Sequence, residues 1–151
     1  MSTPANNPQQ PVEQRIQQLR ILWLGLLGSL GGFYVLTIFT ERPADAEPNH
    51  TLFLVFLIIA LSTTLISFVV KNRFFNRAVE QQNVDLVQQG FIIAAAVNEV
   101  GALLGLFDYF STGDRYYYIL ILIAVCGLLL HFPRREPVVN ATFAKTSAIE
   151  G

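Results

Sequence analysis

Charge is scarce in this chain, and cysteine, tryptophan and methionine each occur once. Only 14% of its 151 residues are charged, where a soluble domain carries about 25%. Ten Lys and Arg stand against eleven Asp and Glu. There is thus no basic excess to hold a polyanion by counterion release, and no nucleic-acid partner is expected. A single cysteine, Cys126, excludes an intramolecular disulfide and any cysteine-based zinc pattern. Set in an apolar run, it reads as a small buried hydrophobe. There is no Ser/His/Asp set, no HExxH and no phosphate-binding glycine loop. No run carries two histidines for haem. The expectation is a chain with no catalytic residues, no metal and no cofactor.

What is abundant is apolar surface. Hydrophobic residues make up 52% of the chain, and mean hydropathy is +0.45. They gather into four runs, residues 21–40, 51–70, 90–110 and 116–132. About 20 helical residues cross a hydrocarbon core of about 30 Å. The runs are too long for strands and apolar all round, as membrane spans are. In lipid, backbone groups must bond within their own segment, so the spans should be helices. The fold class expected is all-α, an integral membrane four-helix bundle. The alternative is a re-entrant hairpin made of the third and fourth runs.

The connections differ. Residues 1–14 are polar and proline-rich and read as a disordered tail. They also lack the basic start and short apolar core of a cleavable signal peptide. Residues 15–20 read as a helical lead-in, so the transmembrane domain is taken as 15–135. Residues 41–50 hold Pro43, Pro48 and three acids, a clear stop. Residues 71–89 contain no Gly or Pro, and Phe75, Ala78, Val79, Gln82 and Leu86 fall near helical spacing. That pattern predicts a helical hairpin protruding beyond the apolar zone, able to meet a cytoplasmic partner. Residues 111–115 form a tight turn around Gly113, and residues 136–151 read as a disordered tail. With four spans, Arg15, Arg20, Lys71, Arg73, Arg77, Arg134, Arg135 and Lys145 share one side, leaving Arg42 and Arg115 on the other. Basic residues in short loops favour the cytoplasm, so both termini are expected inside.

Glu99 carries the strongest chemical signal. It lies near the middle of the third run, beside Asn98. A charge at the centre of a span costs about 2.5–3.5 kcal/mol on insertion scales, so Glu99 should face the bundle interior. Ser62, Thr63 and Ser29 reach similar depth, and Ser62 or Thr63 is the expected hydrogen-bond partner. The group can act as polar glue between helices or as an ion site. Gly28 with Gly32, and Gly101 with Gly105, form GxxxG pairs that let helices approach within the chain or against another subunit. Hydroxyls at Ser62, Thr63, Thr64 and Ser67 can bond their own helix carbonyls. His50 and His131 lie at opposite ends of the spans, too far apart for a shared metal, and read as interfacial residues. Asp108, Asp114 and Arg115 read as a surface ion pair closing a short loop.

Residues 90–107, GFIIAAAVNEVGALLGLF, resemble the carboxylate-bearing helix of the proteolipid (c) subunits of rotary ATPases. There, small residues precede a mid-membrane acid, and Ala, Leu and Gly follow it. The resemblance implies that Glu99 matches the ion-carrying carboxylate. The whole chain resembles small, uncharacterised four-span inner-membrane proteins of bacteria. The expected role is a non-catalytic accessory or scaffold subunit. The alternative is proton or cation translocation through Glu99. The expected partners are the lipid bilayer and a membrane-protein partner or a second copy of the chain.

Overall fold

The apolar runs contain no proline, and each becomes helical over nearly its whole length. The computed structural model describes residues 10–42 and 47–143, among which five helices and no strand occur. These are α1 (Gln10–Phe39), α2 (His50–Gln81), α3 (Asp85–Thr112), α4 (Tyr117–Leu130) and α5 (Arg135–Phe143). At about 1.5 Å per residue, α1, α2 and α3 are each more than 40 Å long. With only 14 residues, α4 extends about 21 Å.

The ends of these helices have identifiable causes. Asn49 caps α2, its side chain accepting the Leu52 N–H at 3.0 Å. Gln82 closes α2 in the left-handed region at φ 49°, its N–H turned back on Ala78 and Val79 carbonyls. Asn83 then accepts the Asp85 N–H at 3.0 Å, and α3 begins. The turn between α2 and α3 is therefore only residues 82–84, and the expected helical hairpin is present. Gly113 closes α3 at φ 59°.

Two boundaries are corrected. Residues 10–14, expected in the disordered tail, form the first turn and more of α1, and Val12 is buried. Residues 135–143, expected mostly in the C-terminal tail, form α5, with Val138 and Ala141 fully buried. Residues 1–9 and 144–151 lie outside the described residues. The start of α1 and helix α5 cover the α2–α3 hairpin. Val12, Ile16, Ala78, Val87, Phe91, Val138 and Ala141 share one apolar cluster. Two ion pairs frame it, Arg15 to Asp85 at 2.6 Å and Arg135 to Glu13 at 3.0 Å. The hairpin thus does not stand free; helices pack on it from both ends of the chain.

Further along, Leu30, Ala95, Ala102, Tyr117, Ala124 and Leu128 pack α1, α3 and α4 together. Phe53, Phe56, Ala60 and Leu120 join α2 to α4. Gly101 and Gly105 are buried in these seams. A β-carbon on Gly101 would meet Ala60 at 3.3 Å, and one on Gly105 would meet the Tyr117 carbonyl at 2.9 Å. Gly28 and Gly32 behave otherwise, since nothing stands within 4 Å of where their β-carbons would be. Of the two GxxxG pairs, only the α3 pair serves packing within the chain.

Large apolar side chains cover the outside. Ile38, Ile58, Leu65 and Leu130 are each more than 60% exposed. Three helices are long and apolar enough to cross a membrane, or four if α4 and α5, bent by 45°, count as one span.

Candidate functional site

Asn98 and Glu99 stand at the midpoint of α3, and adjacent helical residues point about 100° apart. They therefore address different neighbours. Asn98 is 1% exposed and faces α2 and α4. Its Nδ2 donates to the Ala124 carbonyl at 2.6 Å, and its Oδ1 accepts from Thr64 Oγ1 at 3.1 Å. From Thr64 the polar thread runs on. Ser67 Oγ donates to the Thr64 carbonyl at 2.6 Å and lies 3.2 Å from His131 Nε2. His131 Nδ1 sits 2.6 Å from the Gly127 carbonyl. A carbonyl can only accept, so Nδ1 carries the hydrogen.

Several carbonyls in the last turns of short α4 are thus taken by side chains. Asn98 holds Ala124, His131 holds Gly127, and Trp23 Nε1 donates to Leu128 at 2.8 Å. The Gly127 and Leu128 carbonyls lie in the last turn, where a helix leaves acceptors without intrahelical donors, and Ala124 lies about one turn earlier. His131 is fully buried, with the Phe68 ring centroid 4.3 Å away, and so is not the interfacial residue expected. Ser67 and His131 have the partner types of a nucleophile and base. Both have zero exposure, however, and a backbone carbonyl rather than a carboxylate orients the ring.

Glu99 faces α1 and is half-buried. Ser29 Oγ lies 2.7 Å from Glu99 Oε1 and 2.8 Å from the Leu26 carbonyl. One hydroxyl hydrogen cannot serve two acceptors fully. The Ser29 hydroxyl is therefore a donor shared between the Glu99 carboxyl across helices and the Leu26 carbonyl of its own helix.

Ser62 and Thr63 do not join Glu99. Ser62 is exposed, and Thr63 Oγ1 bonds the Ala60 carbonyl of its own helix at 3.0 Å. Thr64 serves Asn98 instead, and Ser29 serves Glu99. Cys126 is exposed on α4, not buried.

The opposite end holds a second polar group. Asp108 and Asp114 are fully buried, while Arg115 is exposed. The expected surface ion pair is replaced by local bonds at the α3–α4 turn. Thr112 Oγ1 donates to Asp108 Oδ1 at 2.9 Å, and Asp114 Oδ1 accepts the Tyr116 N–H at 2.9 Å. His50 Nδ1 lies 3.1 Å from Asp114 Oδ2 without hydrogen-bond alignment. Nearby, Tyr109 OH donates to the Thr40 carbonyl, and Thr37 and Tyr117 hydroxyls meet at 3.0 Å. Among the described residues no set of three His, Cys, Asp or Glu is arranged to hold a metal.

No protein-family model, no curated protein and no solved structure matches this chain.

Proposed function

We propose that this chain is a multi-pass membrane protein of four spans, with both termini cytoplasmic, that serves as a non-catalytic accessory or scaffold subunit. One observation carries the reading. The mid-bundle polar groups bond across helices, while large apolar side chains point outward along three long helices. That distribution suits a lipid solvent, in which polar side chains join helices and apolar ones meet acyl chains. The basic-residue bias supports the orientation. Ion pairs link α1, the α2–α3 turn and α5 at one end, where seven of the described Lys and Arg cluster along the sequence-adjacent segments. A bacterial inner membrane fits this reading. The open glycine face of α1 offers a close approach to a partner helix or a second copy.

A second reading is proton or cation translocation through Glu99. The half-buried carboxyl at the midpoint of α3, met across helices by the Ser29 hydroxyl, supports it.

Alkaline washing of membranes tests the first premise: the chain should stay with the pellet and need detergent for release. A periplasm-only reporter fused to the C-terminus should be inactive. The two roles separate in liposomes. The scaffold role predicts no proton or sodium flux under a gradient and a stable partner in mild-detergent pull-downs. Flux that Glu99→Gln abolishes without loss of expression would establish the carrier instead.

A further inference from the structure

At the end where α2 leaves its apolar run, a cleft of about 300 Å³ opens between α2 and the α4–α5 bend. Its walls include Phe68, Phe91 and Leu130, and its charged lining is Lys71, Arg134 and Glu136. Lys71 is the first charged residue after run 51–70, and Arg134 the first after run 116–132. Two apolar runs therefore end in cations that line one cavity. Neither cation is within ion-pair distance of a described carboxylate, Glu136 included. Arg15 and Arg135, at the same end, do have such partners, in Asp85 and Glu13. The Lys71 stem lies against apolar surface, its Nζ 5.5 Å from the Phe75 ring centroid. Arg20 adds a third cation at the rim, 5.9 Å from the Phe132 ring centroid. At the mouth of the cleft, the lining residues Leu130 and Phe132 carry the apolar surface outward, 68% and 44% exposed.

We propose that this cleft binds the phosphate of an anionic phospholipid, with Lys71 and Arg134 as its cationic contacts and the acyl chains lying over Leu130 and Phe132. The juxtaposition is the argument. Free cations at the end of apolar runs attract an anion, and the adjoining exposed apolar surface suits one that carries hydrocarbon. A bare phosphate would gain nothing from Leu130 and Phe132. The inference rests on the membrane reading above.

Trp23 is the only tryptophan and stacks edge-on to Phe132, ring centroids 5.2 Å apart, so it reports on the cleft. The full chain in neutral detergent is titrated with short-chain phosphatidylglycerol, and lipids retained through purification are read by native mass spectrometry. Saturable binding is expected in at least one of these readouts. The paired substitution Lys71→Gln and Arg134→Gln should weaken it about 30-fold. Arg73→Gln with Arg77→Gln removes the same charge outside the cleft and should leave it within about twofold. Charge-preserving Lys71→Arg with Arg134→Lys keeps the interpretation clear of misfolding and should retain binding. Equal weakening by both neutralised pairs overturns the site in favour of general surface attraction. Equal affinity for phosphatidylcholine overturns the anionic preference, and an equal response to inorganic phosphate overturns the lipid. Absence of anionic lipid by both readouts also overturns it. Failure of the membrane reading would show separately, as release of the chain from washed membranes without detergent.

Discussion

A β-carbon on Gly127 would stand 2.1 Å from Asn98 Oδ1, so the buried amide fits between α3 and α4 only because residue 127 has no side chain. The consequence is a thread of bonds from Ala124 through Asn98, Thr64 and Ser67 to His131. Gly127→Ala should therefore expel Asn98 and strand two buried bonds. The expected loss is about 2–4 kcal/mol, from overpacking and unsatisfied polar groups together. Gly28→Ala is the control, since open space surrounds that position and alanine favours the helix by about 1 kcal/mol. Unfolding of both variants in detergent, followed by circular dichroism, checks the pair. Equal loss at the two sites would contradict the account.

The Thr64–Asn98 bond can be weighed by a double-mutant cycle. Interhelical bonds of this kind in lipid average about 0.6 kcal/mol, because the membrane-embedded unfolded state also finds partners. Thr64→Val, Asn98→Ala and the double variant should give a coupling near that value. Ser62→Ala, at an exposed position outside the thread, should be silent. A measurable cost at Ser62 with none at Thr64 would reverse the assignment of partners.

Height along the bundle was legible in the sequence; direction around each helix was not. The apolar runs located α1 to α4, though not all of their ends, because length and composition alone distinguish a span-sized helix. Depth counting also brought Ser29 and residues 62–63 level with Glu99. One residue further along a helix changes height by about 1.5 Å but direction by about 100°. Thr63 and Thr64 are therefore nearly level, yet only Thr64 meets Asn98. The same ambiguity hid His131, which ends its run but turns inward onto Ser67 and Phe68. Asp108 and Asp114 looked like surface charges because the local hydroxyl and backbone N–H donors that hold them inward were not counted. Helix α5 was missed because Pro137 and the polar Arg135, Glu136 and Asn140 read as the start of a tail, although Val138 and Ala141 form a buried apolar pair at i and i+3.

Gln82 offers a direct test of the hairpin turn. It is the one non-glycine residue at positive φ among those described, at 49°. A side chain there costs about 1 kcal/mol that glycine avoids, part of it offset by the greater freedom of glycine in the unfolded chain. Gln82→Gly should stabilise the protein by several tenths of a kcal/mol, up to about 1. Gln82→Val should destabilise it, since a β-branched side chain tolerates the left-handed region poorly. Thermal midpoints in one detergent would order the three proteins as Gly above Gln above Val. Any other order removes the left-handed cap from the description of this turn.

Docking of α5 makes the last prediction. Val138 and Ala141 are fully buried against the start of α1 and the α2–α3 hairpin, and Arg135 reaches Glu13 at 3.0 Å. Val138→Asp would place a carboxylate in that apolar cluster. Burying even a neutral polar group without a partner costs about 1–3 kcal/mol in proteins, and an ion more. A nine-residue helix has little beyond Val138, its neighbour Val139 and Ala141 to hold it in this cluster. The substitution should release α5 while leaving α1 to α4 folded. Trypsin would then cut at Arg134 and Arg135 well before the core unfolds, and attack at Arg15 should rise as its cover is lost. Val138→Ile, which keeps the apolar contact, should cut at close to the wild-type rate. If Val138→Asp leaves the cleavage rate at Arg134 and Arg135 unchanged, α5 is not held by this cluster, and the cap over the hairpin must be assigned to the start of α1 alone.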